Sequence, residues 1–450
     1  MSKNTIIKGT LILTIAGIAT KLLGFYNRIF LTRLIGVKEL GVYQLIFPLY
    51  LLAFSISCQG IATTLTKQVS FHMGRKCPND ARRVFRYSLL ISLTLSIIIC
   101  ILMRQAAYPL SLYILKNTDC APLMRIITIA VPSISVKACI NSFFVGIDKP
   151  AYQGISHFVE QIFRIGVGYL LAAMWSADRI NAVLAVTAVV SGEIAATLLA
   201  VVFYRIYVKK NHNGKIARSD SAMKESAFST PSSILKRLFR DAVPITVNNV
   251  MLTLFSSFEA ILMPAMLYYY YADSDTAMEM YGIVTGIVIP FLLFPSTITT
   301  SLSTMLLPAV SYASAKKDTR AIKSALANSV MFCLLLGACA WLGFILFGGF
   351  ACEFAFGNKY AGTLLRKMSF LCPLIYLSGN LSAIMNGIDK AFQNLIFNII
   401  SIIIRILFSV TLVPTYGLSA YVCGMAVSYL VLNILLLTSV RSMKNIKRQN

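Results

Sequence analysis

Charged residues stand inside apolar runs of this 450-residue chain, where a membrane-crossing segment has most reason to exclude them. Lys21 and Arg28, seven residues apart, share one helical face. His157, Glu160 and Arg164 follow at spacings of three and four, so they form a stripe in which Glu160 and Arg164 make an i,i+4 pair. Arg405 sits at matching depth in a second run, with Ser401 four residues earlier where an acid would stand. Glu193 and Glu259 are also deep, and with Asn248 they are the candidates for ion coupling. An ionised side chain at mid-bilayer costs about 2.5–3.5 kcal/mol. Such groups must therefore face water, protein or one another. Setting Lys21, Arg28, Arg33, Lys67, Lys137, Arg164 and Arg405 against Glu160, Glu193 and Glu259 gives an expected interior of net positive charge. The chemistry that fits is anion binding, because the planar arginine fork matches phosphate oxygens. Lys21, Arg28, Glu160, Arg164 and Arg405 are the substrate-binding candidates, whereas Lys137, counted in the buried set, lies near enough to an inner end to be able to snorkel.

The elements that carry these residues are long apolar helices. The chain is 57% hydrophobic and 13% charged, with a mean hydropathy of +0.74, against roughly 25% charged in a soluble domain. About twenty apolar residues cross a hydrocarbon core. Twelve spans fit: 7–35, 41–67, 85–107, 123–146, 153–175, 181–207, 241–270, 281–310, 322–349, 366–387, 392–413 and 417–439. The fold class is therefore an all-α polytopic membrane protein. The first run has no small-residue cleavage site and is expected to be retained as a helix.

GIDKPAYQGISHFVEQIFRI at 146–165 returns as GIDKAFQNLIFNIISIIIRI at 387–406, an offset of 241 residues that also pairs Arg125 with Arg366 and Pro132 with Pro373. Two six-helix lobes related by pseudo-twofold symmetry as a parallel repeat follow, 1–208 and 236–450, around a V-shaped central cavity. A polar, basic stretch at 209–235 reads as a cytoplasmic linker. The net charge of +24 gathers on alternate loops and the termini, as at Arg82, Arg83 and Arg86, Lys209 and Lys210, and Lys236, Arg237 and Arg240. That bias places both termini in the cytoplasm and accounts for the basic excess without nucleic acid.

Ten scattered cysteines without a C-x-x-C pair and three separated histidines lack metal-ligand spacing. No nucleotide-cradling G-x-x-x-x-G-K-[ST] loop occurs. The chain is not expected to be an enzyme or to need a cofactor. Transport energy would come from an ion gradient, through a coupling cation such as Na+ or H+, or from the membrane potential.

KLLGFYNRIFLTRLIG (21–36), GVYQLIFPLYLL (41–52) and DKPAYQGISHFVEQIFRI (148–165) resemble the sporulation branch of the polysaccharide transporters, within the multidrug/oligosaccharidyl-lipid/polysaccharide exporter superfamily. The resemblance implies a flippase working by alternating access in the cytoplasmic membrane. Its partners would be membrane lipids and an undecaprenyl-pyrophosphate-linked saccharide, a lipid II-like precursor such as spore cortex assembly needs. It also implies pyrophosphate held by cations, with Lys21 and Arg28 in places similar to a first-helix arginine pair of lipid II flippases. Those flippases carry an arginine on the second helix, and this chain has only uncharged residues between Tyr43 and Thr66. The alternatives are a multidrug cation exporter of the same fold, a non-transporting membrane scaffold, and a glycan polymerase. The short acidic loop YADSDTAMEM at 271–280 reads as a solvated linker, too small for polymerase chemistry.

Overall fold

A segment surrounded by lipid must satisfy every backbone N–H and C=O within itself, so long apolar runs become helices. The computed structural model describes residues 3–74, 77–175, 181–212, 231–300, 302–303, 306, 310, 318–388 and 390–442, and these contain no strand. Residues 213–230 of the expected linker lie outside them. The principal helices are α1 (Lys3–Phe54), α2 (Gly60–Gly74), α3 (Pro78–Gln105), α4 (Cys120–Ile127), α5 (Ala130–Gly146), α6 (Ala151–Met174) and α7 (Ala182–His212). They continue as α8 (Pro231–Tyr271), α9 (Ser274–Gly282), α10 (Thr319–Phe356), α11 (Lys359–Met368), α12 (Cys372–Gly387), α13 (Ala391–Thr411) and α14 (Leu418–Ser442).

Ten stretches of the described residues are long and apolar enough to cross a membrane. The first, Gly17–Met73, is 57 residues long and covers residues 17–35 of the span expected at 7–35 and all of the span expected at 41–67. α1 breaks between them at Gly36, whose φ of 79° and ψ of 171° belong to a region that is essentially glycine-only. The remaining expected span is α6, 24 residues long, where His157, Glu160 and Arg164 dilute the apolar run.

The chain forms two compact units. Unit 1 is Met1–Asn27 with Leu45–Leu254, and unit 2 is Arg28–Gln44 with Phe255–Asn450. α1 and α8 thus each contribute residues to both.

In unit 1, Phe85 on α3, Phe143 and Phe144 on α5 and Tyr204 and Tyr207 on α7 form one aromatic cluster. Ser88, Ser92 and Ser96 recur every fourth residue on α3, are fully buried, and let helices approach closely. Ser92 donates to the carbonyl of Ser57 at 3.2 Å. Leu90, Ile97, Ile101 and Leu102 of the same helix are exposed, as a lipid-facing surface requires. In unit 2, Tyr376 on α12 donates to the carbonyl of Leu292 at 2.7 Å. α10 carries Leu346, Phe347, Phe350 and Phe354 on its outside.

Candidate functional site

Each unit holds its own buried charge cluster beside a cavity. In unit 1 three helices supply it: Lys137 from α5, Glu160 and Arg164 from α6, Glu193 from α7. Lys137 Nζ lies 2.7 Å from Glu160 Oε2 and 2.5 Å from Glu193 Oε2. Arg164 Nη2 donates to the other Glu160 oxygen, Oε1, at 2.8 Å. His157 Nδ1 stands 3.4 Å from Glu160 Oε2. Lys137, Glu160 and Glu193 are only 3%, 6% and 5% exposed. α6 and α7 pack closely at this level because Gly192 has no side chain. A Cβ there would lie 2.7 Å from the Glu160 carbonyl oxygen. Gly192→Ala is accordingly expected to lower stability by about 1–3 kcal/mol through overpacking, read as a reduced unfolding midpoint in detergent.

In unit 2 the cluster is Glu259 on α8, Arg405 on α13, and Tyr421 and Tyr429 on α14. Arg405 Nη2 is 3.1 Å from Glu259 Oε2. The Tyr421 hydroxyl donates to Glu259 Oε1 at 3.4 Å. The Arg405 guanidinium also lies 5.4 Å from the centre of the Tyr429 ring, a cation–π distance. Ser401, four residues before Arg405, donates instead to the carbonyl of Ser428 at 3.1 Å, so α13 leaves the acid's role to α8.

Two expectations are corrected. Lys137 does not snorkel: two carboxylates hold its ammonium inside the protein, which removes any reason to seek the interface. Nor are the deep cations of these clusters an uncompensated positive field. Lys137 and Arg164 balance Glu160 and Glu193, and Arg405 balances Glu259. The partners come from helices remote in sequence, which a count along the chain does not reveal.

The other candidates are placed differently. Arg28, in unit 2, donates from Nη1 to the carbonyls of Thr285 and Gly286, both at 3.1 Å, within a π-helical turn at Ile283–Val288. Arg33 donates from Nε to the Ala355 carbonyl at 2.7 Å and from Nη2 to that of Phe354. It therefore caps the negative end of α10. Lys21 is exposed on α1 and Asn248 is half-buried on α8, and neither lines the two cavities.

The unit 1 cavity has a volume of about 660 Å³ and is walled by α2, α5, α6 and α7, including Lys67, Lys137, His157, Glu160 and Glu193. The unit 2 cavity, about 230 Å³, is bounded by Glu259, Arg405, Tyr421 and Tyr429. Sequence reasoning counted Lys67 among the interior cations but not among the binding candidates, and passed over Asn141; both line the unit 1 cavity. The available signal was the polar spacing of Lys137, Asn141 and Ser142 within an apolar helix.

Residues 6–314 match the family described as polysaccharide biosynthesis protein. The chain is 25% identical over 426 residues to stage V sporulation protein B of Bacillus subtilis (strain 168), covering 93% of this chain and 80% of that one. It is 19% identical to lipid II flippase MurJ of the same organism, across 94% of this chain and 80% of the other. Among solved structures, a multidrug resistance MATE family transporter of the MOP superfamily, in an outward-facing conformation, superposes with a TM-score of 0.71 at 15% identity, over 99% of this chain and 96% of that one. A MOP superfamily transporter from Pyrococcus furiosus gives 0.68, also at 15% identity, over 98% and 96%. At these identities the solved structures establish the fold.

Proposed function

The chain belongs to the polysaccharide biosynthesis protein family, and on that premise we propose that it is a membrane flippase for an undecaprenyl-pyrophosphate-linked saccharide. The observation that carries this reading is likeness along nearly the whole chain to a lipid II flippase and a sporulation protein. The substrate is a lipid II-like peptidoglycan precursor, used in spore cortex assembly. The chain spans the cytoplasmic membrane many times with both termini in the cytoplasm. Two lobes, 1–208 and 236–450, joined by the 209–235 linker, operate by alternating access. Either a cation acting through Glu193, Glu259 or Asn248, or the membrane potential, supplies the energy.

Charge balance supports an anionic cargo over a cationic one. The three deep acids each have a basic partner within 3.1 Å, so a bulky drug cation would have to displace a lysine or arginine to reach one, a demand that a small coupling ion exchanging at Glu193 or Glu259 meets more readily. Lys21 and Arg164 of unit 1, and separately Arg28 and Arg405 of unit 2, are the proposed contacts for the pyrophosphate at successive stages of its passage, with Glu160 holding Arg164 in place and the paired arginines offering hydrogen-bond donors rather than free charge.

Reconstitution in liposomes tests the reading. Fluorescent lipid II and a teichoic-acid precursor are followed across the bilayer, with and without an imposed potential. The expected result is protein-dependent movement of lipid II well above that of the teichoic-acid precursor. Lipid II movement no faster than in protein-free vesicles would refute the flippase reading, and equal protein-dependent movement of the two lipids would refute the lipid II assignment.

A further inference from the structure

We propose that the cavity of unit 1 is a docking subsite for the saccharide–phosphate headgroup, with Asn141 facing the sugar and Lys67 the phosphate. This rests on the flippase reading and gives that activity a location inside one lobe. Asn141 is 4% exposed and lines the cavity, yet its Oδ1 has no hydrogen-bond partner. A buried acceptor left unmade keeps its full desolvation cost, so the site calls for a donor such as a sugar hydroxyl or amide N–H. Gln59, Ser142 and Gln153 line the same space. Neutral donors and acceptors of this kind suit a polyhydroxylated ligand. The volume of about 660 Å³ has room for one or two sugar rings with a phosphate.

The electrostatics agree. Glu160 and Glu193 border the cavity, and unpaired they would repel an anion. Lys137 and Arg164 neutralise them, which leaves the exposed Lys67 to set the sign of the wall. Lys137 is thus a positioning residue that holds two carboxylates away from the ligand. From the level of Lys137, Glu160 and Glu193 the cavity extends to Ser70 on α2, Val145 near the end of α5 and Gln153 at the start of α6. The distribution of basic loops assigns that end to the cytoplasm, where a precursor would be loaded.

The test uses the full chain in nanodiscs, with binding read by native mass spectrometry. The probes are undecaprenyl pyrophosphate bearing an N-acetylhexosamine disaccharide, the same lipid without sugar, and phosphatidylglycerol as a general anionic lipid. Wild-type protein should prefer the sugar-bearing lipid over the bare pyrophosphate by about tenfold, which is ~1.4 kcal/mol. Asn141→Leu should abolish that preference while leaving the unfolding midpoint unchanged, because it removes an acceptor that the folded chain does not satisfy. Ser142→Ala should reduce the preference in the same direction. Lys67→Gln should weaken both pyrophosphate lipids equally without altering phosphatidylglycerol binding. The proposal is overturned if Asn141→Leu keeps the preference, if it loses stability along with binding, or if Lys67→Gln acts on phosphatidylglycerol alike. Liposome flipping by the wild type separates the two readings. Flipping with no sugar preference sinks the subsite alone, and absence of flipping sinks the flippase reading.

Discussion

Arg405→Met is expected to destabilise the protein by about 3–5 kcal/mol, because it strands the Glu259 carboxylate without its cation. Glu259 is 6% exposed, and what then remains to it is a long 3.4 Å hydrogen bond from Tyr421. Removing both charges has the opposite character. A buried ion pair replaced by well-packed neutral groups is often neutral or stabilising. The double variant Glu259→Gln with Arg405→Met should therefore recover most of the lost stability. Unfolding midpoints of the three forms in detergent check this. If the single variant is as stable as wild type, the pair is not a stabilising contact at all.

The second large effect is expected at Lys137. Lys137→Met leaves Glu160 and Glu193 facing each other, with Arg164 neutralising only Glu160. A loss of about 3–5 kcal/mol follows from the same reasoning. Adding Glu193→Gln restores charge balance around Glu160 and Arg164 and should recover much of it. Glu160→Gln should rescue less, since it leaves Arg164 without its carboxylate while Glu193 stays charged. An equal rescue by the two glutamine changes would contradict the assigned pairing.

The fold was legible because long apolar runs and a 241-residue repeat leave few alternatives in a bilayer. Glu160–Arg164 was legible because an i,i+4 pair is local. Arg405 was recognisable as a deep cation by its correspondence with Arg164, but its partner was not. The repeat has Ser401 where Glu160 stands, and the acid arrives from α8, 146 residues away in sequence. Lys137 was misread for a related reason. Its depth along one helix permits snorkelling, and only the neighbouring α6 and α7 reveal the two carboxylates that hold it. Arg28 and Arg33 could not be assigned from sequence either, since their acceptors are backbone carbonyls, which any residue supplies. Charge counting gives the composition of the interior. Pairing depends on which helices are adjacent, and periodicity does not report that.

The central claim is that deep basic residues handle an anionic headgroup as well as holding helices together. The most direct measurement is the rate of lipid II movement across liposomes containing the Glu259→Gln, Arg405→Met protein, with its stability checked in the same membranes. The account predicts a well-folded protein that moves lipid II far more slowly than wild type. Movement at the wild-type rate would show that the pair serves as scaffold alone, and would contradict a role for Arg405 in transport.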